Sequence, residues 1–137
     1  MIARLFRVIL PAVDMERSVA FYAAVLEDSG TRVSPGRHYF HCGPTILAIV
    51  NPRADGAVNA PDPHPNADHV YFSVDDLAAA LERVKSADPS GLDVPNQERG
   101  IAQRPWGERS FYCQDPAGNP ICFVAAGTEF TGDRPLT

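Results

Sequence analysis

The sequence predicts an α+β fold made of two βαβββ modules, whose curved mixed sheets enclose a ligand cavity with the helices outside. Its 137 residues suit one domain or two small repeated halves. A strand, an aspartate and an amphipathic helix follow one another twice, and an interval of 62 residues separates the two aspartates, Asp14 and Asp76. Strand-like segments split by turn residues follow each helix. One such module leaves one sheet face bare, so two modules can curve their sheets around a shared hollow.

Composition excludes several classes of function. Twelve Lys and Arg against 17 Asp and Glu leave a net charge of −5, which disfavours binding to nucleic-acid backbones. No apolar run approaches the roughly 20 residues of a membrane-spanning helix. Arg4 and Arg7 interrupt the first apolar segment, which therefore predicts a strand and not a signal peptide. Three cysteines are too few, and odd in number, for a disulfide scaffold, so a reducing, cytoplasmic compartment is expected.

The first module is predicted over about residues 4–51. Its first strand contains Arg7 and alternates apolar residues on one face. Asp14 is suited to cap the helix that follows, because its carboxylate can accept a bond from an unpaired amide of the first turn. The Pro35-Gly36 and Gly43-Pro44 pairs then separate three strands. These strands are predicted at residues 31–33, 38–42 and 45–50.

A proline-rich linker is predicted over residues 52–67, and the second module over about residues 68–126. Asp76 caps its helix, and an Asp-Pro-x-Gly-Asn turn at 115–119 precedes its last strand. The three strands after the helix are predicted at 92–98, 108–113 and 120–125. One domain would thus span residues 1–127, followed by an extended or loosely ordered tail at 128–137.

In this order, the motifs resemble the vicinal oxygen chelate superfamily, which includes glyoxalase I, extradiol dioxygenases and bleomycin-resistance proteins. The matching pieces span roughly residues 5–126, and the glyoxalase-like bleomycin-resistance branch is the closest. They are the strand-to-helix junctions Val13-Asp14-Met15 and Val74-Asp75-Asp76-Leu77, and the closing segments Trp106 to Tyr112 and Asp115 to Asn119.

The resemblance also implies where metal-using relatives hold a divalent ion with His and carboxylate ligands from four strands. Those positions correspond here to Arg7, Ala48, His69 and Cys122. Only His69 keeps its type, because a guanidinium repels a cation and alanine has no donor atom. His69 and the Cys122 thiol could together bind a soft ion such as zinc, but tight zinc sites have three or four protein ligands. The sequence therefore predicts no cofactor, with a divalent metal involving His69 as the alternative.

Two strand residues are candidates to contact a ligand. Arg7 is either a solvent-facing strand residue or, on the face opposite the helix-packed one, a cavity cation that needs a carboxylate or an anionic ligand. His69 shares its face with Tyr71 and is either a hydrogen-bonded histidine in the cavity wall or a general acid or base. Ala48 and Cys122 complete this candidate wall.

Trp106 and Glu108 lie on the approach to the seventh strand. The indole either stacks on a flat ligand or caps the barrel end as part of the core. Glu108 is the expected intramolecular partner of a cavity arginine. His38 and His41, three residues apart on a strand, are expected on opposite faces, and His64 is expected in solvent. The cysteines are expected to be buried and unreactive.

The function predicted from these residues is a metal-free binding protein for a small organic ligand that is anionic or aromatic, with no assigned catalytic residue. The alternative is a divergent metal-dependent enzyme of the glyoxalase or dioxygenase type. A third possibility is a subunit or interaction module that has lost its site. A homodimer is expected, and the modules can pair within one chain or across the dimer.

Overall fold

The computed structural model describes residues 2–95 and 97–136, and each half of the chain folds as a βαβββ module. Module 1 contains β1 (Arg7–Pro11), α1 (Met15–Leu26), β2 (Thr31–Ser34), β3 (Arg37–Cys42) and β4 (Thr45–Val50). Module 2 contains β5 (Val70–Val74), α2 (Leu77–Ala87), β6 (Ala102–Gln103), β7 (Arg109–Gln114) and β8 (Pro120–Ala125). Within the described ranges, no helix combines the length and the apolar composition needed to cross a membrane.

Each helix begins at the predicted aspartate cap. The Asp14 carboxylate accepts a hydrogen bond from the backbone N–H of Arg17 at 3.2 Å, and Asp76 accepts one from that of Ala79 at 3.0 Å. Both bonds satisfy amides that have no partner inside the helix, so both aspartates fix where the chain turns from strand to helix.

The described strands form two four-stranded sheets with the same topology. The strand orders are β1-β4-β3-β2 and β5-β8-β7-β6. In each sheet the strand before the helix, β1 or β5, lies at the sheet edge. It pairs in parallel with the last strand of its module, β4 or β8. The predicted fold class is confirmed. The two sheets are not closed into a barrel, so β1 and β5 remain edge strands.

The prediction of a strand at residues 92–98 is wrong. A short 3₁₀ helix, Pro89–Leu92, occupies its start, and the strand that pairs with β7 is the two-residue β6. Proline at a first helical position presets the backbone angle of this turn. Gly91 packs so tightly that an added Cβ would lie 2.6 Å from the carbonyl oxygen of Gln114. Leu92 is therefore buried by a helical turn packed on β7 and not by strand alternation.

One continuous core joins the helix-facing sides of both sheets. In module 2 the ring of Phe123 stacks between those of Phe72 and Phe111, with both centroid distances at 5.2 Å. In module 1, Phe40 and Tyr22 are fully buried and their rings lie 6.2 Å apart. Because Tyr22 also lies 6.4 Å from Phe72, the aromatic core crosses from one module to the other.

Polar bonds also join the modules. The buried Tyr22 hydroxyl donates to the Asp115 carboxylate at 2.7 Å, and the Asn119 amide donates to the carbonyl oxygen of Pro11 at 2.8 Å. Burial raises the pKa of Tyr22, so its hydroxyl keeps the proton that it donates. Asp115 and Asn119 both belong to the Asp-Pro-x-Gly-Asn turn. This turn therefore holds module 2 against α1 and β1.

Candidate functional site

One face of the first sheet is not covered by its helix. Along β1, Leu10 is fully buried while Ile9 is 50% exposed, as strand alternation predicts. The sheet register places Ile9 beside Ala48, and Ala48 beside Tyr39. The Arg7 guanidinium lies over the Tyr39 ring, with its central carbon 5.1 Å from the ring centroid. We call Arg7, Ile9, Tyr39 and Ala48 the first-sheet face.

The second sheet presents a matching open face. Register pairs Tyr71 with Cys122 and Cys122 with Tyr112, while Phe72, Phe123 and Phe111 point into the core. Two residues before Tyr112 on β7 is the buried Ser110. His69 packs edge-on against Tyr112, with ring centroids 5.1 Å apart. We call His69, Tyr71, Ser110, Tyr112 and Cys122 the second-sheet face.

His69 has an unusual environment. Its Nε2 atom is buried and has no hydrogen-bond partner among the described residues. A buried polar atom without a partner costs about 1–3 kcal/mol, and such atoms are rare in folded proteins. One interpretation of the sequence is that His69 is a hydrogen-bonded residue of the cavity wall. The structure shows no such hydrogen bond at Nε2 among the described residues.

The neighbouring hydroxyl and thiol are protonated at neutral pH. Burial raises the pKa of Cys122 to about 11, although a hydrogen bond from Ser110 and the charge of Arg104 oppose this shift. Burial and a hydrogen bond with Tyr112 raise the pKa of Tyr71 to about 12. Burial also raises the pKa of Cys42 and Cys113. None of the three thiols is therefore suited to act as a nucleophile.

Arg104 belongs to this site and was not predicted from the sequence. Its side chain is only 8% exposed, and its guanidinium carbon lies 4.6 Å from the centroid of the Tyr112 ring. Nε donates to the Ser110 hydroxyl at 2.9 Å, and Nη2 donates to the Ser110 carbonyl oxygen at 3.1 Å. A buried cation thus borders the second-sheet face.

Glu108 does not pair with Arg7, so that expectation is wrong. Its carboxylate accepts a bond from the Trp106 indole at 2.7 Å and another from the backbone N–H of Phe130 at 2.8 Å. Both oxygens are therefore used to hold the tail to the turn before β7. Trp106 is 45% exposed and is not part of the core, so it remains free to stack on a ligand.

The other histidines lie where the sequence predicts. His38 is buried on the helix side of β3, where its ring is bonded to the carbonyl oxygen of Ser29 and to Arg32. His41 is exposed, and His64 is exposed in the linker. His38 and His41 therefore lie on opposite faces and cannot act at one site.

The four positions implied by the resemblance do not fit a divalent metal ion. Arg7 is cationic and stacked on aromatic rings, and the fully buried Ala48 has no donor atom. Burial raises the pKa of the Cys122 thiol, which disfavours the thiolate that binds a metal, so His69 is the one position of the four with an imidazole or carboxylate side chain. Within residues 2–95 and 97–136, no three His, Cys, Asp or Glu side chains come together in a way that could hold a metal.

A groove of about 930 Å³ lies between the modules. Its lining includes Val8 of β1, Val25 of α1, Phe72 of β5 and Arg83 of α2. Of the predicted ligand-contacting residues, only Tyr71 lines it. Of the remaining candidates, Arg7, Ala48, His69 and Cys122 belong to the two sheet faces, and Trp106 and Glu108 lie at the turn before β7.

Comparison with known proteins gives the family. The profile of the Glyoxalase/Bleomycin resistance protein/Dioxygenase superfamily matches residues 4–123. No curated protein shows significant similarity to this chain.

Several solved structures share the fold. A lactoylglutathione lyase from Agrobacterium tumefaciens is 25% identical, with a TM-score of 0.61 over 90% of this chain and 94% of that one. A glyoxalase-related enzyme from Fulvimarina pelagi is 19% identical, with a TM-score of 0.71 over 96% and 94%. A glyoxalase/bleomycin resistance protein/dioxygenase from Nocardioides is 20% identical, with a TM-score of 0.66 over 98% and 93%. This chain belongs to the glyoxalase/bleomycin resistance protein/dioxygenase superfamily.

Proposed function

We propose that this protein binds a small organic ligand on the open faces of its two sheets, at a site that has lost the metal ligands of its relatives. The observation that carries this proposal is the unpartnered Nε2 of His69 beside Tyr71 and Tyr112. Core packing does not need these polar groups, since the apolar core lies on the other side of the sheet. A ligand with a hydrogen-bonding group would satisfy this Nε2 atom, which has no partner among the described residues.

The first-sheet face supports an anionic or aromatic ligand. Arg7 has no carboxylate within salt-bridge distance among the described residues, and its guanidinium lies over the rings of Phe6 and Tyr39. A guanidinium on an aromatic surface can receive either an anion or a second flat ring. Arg7 is therefore proposed to contact the ligand rather than to stabilise the fold.

Ligand binding is expected to depend on His69. We expect small molecules that raise the melting temperature of the wild-type protein to lose most of that effect in His69→Ala and in Arg7→Ala. His64→Ala, which removes an exposed linker histidine, is the matched control and should respond like the wild type. Differential scanning fluorimetry with a library of anionic and aromatic compounds measures this. Compounds that stabilise wild type and His69→Ala equally would contradict the proposed site.

A second copy of the chain is proposed to cover the open faces. The solvent-accessible surface is 8084 Å², against about 7000 Å² for a compact monomer of 14.9 kDa. Ile9 and Tyr71, at the centres of the two faces, are 50% and 52% exposed. A homodimer would remove this apolar surface from water and enclose the ligand.

The dimer has a direct test. Light scattering should give about 30 kDa, twice the chain mass of 14.9 kDa. Ile9→Glu should shift the protein toward the monomer, because it places a charge in the covered surface. Val58→Glu changes an equally apolar but linker-located residue, 79% exposed, and should leave the mass unchanged. A wild-type mass near 15 kDa at high protein concentration would overturn the dimer.

One observation favours a second candidate function. A buried imidazole nitrogen without a partner is also what a metal ligand requires, so a divergent metal-dependent enzyme of the glyoxalase or dioxygenase type is the alternative. Elemental analysis after soaking in nickel, zinc, manganese or iron(II) and desalting separates the two. About one tightly held ion per chain, lost in His69→Ala, would establish the alternative and overturn the metal-free proposal.

A further inference from the structure

The donors of Arg104 are only partly used. The edge of the guanidinium formed by Nε and Nη2 bonds to the hydroxyl and the carbonyl oxygen of Ser110. The end formed by Nη1 and the second hydrogen of Nη2 has no hydrogen-bond acceptor among the described residues. This end of the guanidinium, which we call the outward end because it lies opposite the Ser110 contacts, carries two roughly parallel N–H groups.

The charge of Arg104 is poorly compensated by the protein. The nearest carboxylate oxygen belongs to Glu98, 3.8 Å from Nη1, which is beyond hydrogen-bond distance. Glu98 itself is 72% exposed, so its attraction is screened by water. The other contacts, Ser110 and the Tyr112 ring, are neutral. A guanidinium that is 8% exposed normally has a better partner than this.

We propose that the outward end of Arg104 binds the carboxylate group of the ligand, so that the ligand is a small organic acid with an apolar or aromatic body. This inference rests on the proposed binding function and names the class of its ligand. A planar fork of two N–H groups matches a carboxylate in a bidentate arrangement. A single cation in a chain of net charge −5, with Glu98 and Glu108 nearby, favours a monoanion over a phosphate dianion.

The surroundings also indicate the body of the acid. Tyr112 lies under the guanidinium, and Tyr71 lies near Tyr112 on the second-sheet face. The turn from Arg104 to Glu108 is closed by two backbone bonds, which keep Trp106 next to Arg104. An acid held by Arg104 would thus rest on aromatic surface. Trp106 is also the only tryptophan in the sequence, so its fluorescence reports binding at this site.

The test uses acids and their neutral isosteres as probes. Benzoate, phenylacetate and hexanoate are titrated against the full-length protein alongside benzamide, phenylacetamide and hexanamide, with Trp106 fluorescence and melting temperature as readouts. At least one acid is expected to bind more tightly than its amide by about tenfold or more, the range for a charge-assisted pair.

Arg104→Gln should remove this preference for the acid. Arg109→Gln makes the same change of charge at an exposed arginine of β7 and should keep the preference. If Arg104→Gln does not fold, Glu98→Gln still tests the idea. It removes the competing carboxylate from an exposed side chain, and the acids should then bind severalfold more tightly.

The outcomes separate this inference from the function on which it rests. Equal affinity for acids and amides, or a preference for acids that persists in Arg104→Gln, overturns the inference while ligand binding stands. Failure of every compound in the library and of every probe to bind overturns both. Preference for acids that is lost only in Arg104→Gln and strengthened in Glu98→Gln supports both.

Discussion

Asn119→Ala is expected to lower the free energy of unfolding by about 3 kcal/mol, because it removes three hydrogen bonds that a fully buried side chain makes, at about 1 kcal/mol each. The Asn119 amide nitrogen donates to the carbonyl oxygen of Pro11 and to the carboxylate of Asp115, both at 2.8 Å. Its amide oxygen accepts from the backbone N–H of Asn66 at 3.0 Å. The side chain is fully buried, so no water replaces these bonds. Urea unfolding followed by circular dichroism measures the loss.

The matched control is Asn59→Ala, at an exposed asparagine of the linker, which should change stability by less than about 0.5 kcal/mol. Tyr22→Phe should give an intermediate loss, since it removes one bond to Asp115 and keeps the ring. Because Pro11 and Asn66 belong to the first module and the linker, the loss should appear as one cooperative transition at lower urea. A loss below about 1 kcal/mol for Asn119→Ala would show that the turn does not hold the modules together.

The repeated parts of the fold were the most predictable. Asp14 and Asp76 cap helices as expected, because capping is local and needs only the right residue before an apolar helical pattern. Segments 45–50 and 120–125 form β4 and β8 as predicted, because each is a short apolar run that directly follows a turn. The prediction of a strand at 92–98 was wrong because Leu92 is buried by a 3₁₀ turn. No local sequence pattern reveals that this turn packs on β7.

Only the part of the candidate site that lies in or directly beside the regular strands β1 and β5 was predictable from local sequence patterns. Alternation identifies Arg7 of β1 as an open-face residue, and it identifies His69, which directly precedes β5, from the same pattern of apolar neighbours. Arg104 lies just beyond a two-residue strand, where alternation carries no information, and its burial depends on Ser110 and Tyr112 of β7. The one available signal was an arginine directly before a Pro-Trp-Gly turn, which does not distinguish a buried guanidinium from an exposed one.

Family membership leaves the chemistry of this protein open, because a fold does not determine what its site does. The fold is retained, whereas three of the four positions that the resemblance implies for metal ligands hold Arg7, Ala48 and Cys122. The second-sheet face and its border contain a buried guanidinium and an imidazole nitrogen that has no hydrogen-bond partner among the described residues. Both groups recognise a polar ligand without a cofactor, which is why binding rather than catalysis is the function proposed.

If the protein is metal-free as proposed, introducing the ligand types that the resemblance implies is expected to create a metal site. The triple variant Arg7→His, Ala48→Glu, Cys122→Glu, with His69 retained, supplies two imidazoles and two carboxylates. Without metal it should be less stable than the wild type, since Ala48 and Cys122 are fully buried and a carboxylate there is desolvated. Nickel or zinc should then raise its melting temperature by several degrees, because only the folded state holds the ion.

The control is Arg7→His, Ala48→Gln, Cys122→Gln, which has the same shapes without the two carboxylates and should gain little from metal. One ion per chain in the triple variant, measured after desalting, would show that the two sheet faces meet around one hollow, either within a chain or across the dimer. A folded triple variant that retains no ion would show that Arg7 and His69 do not face the same space. Ligand binding would then be confined to the second-sheet face and to Arg104 beside it.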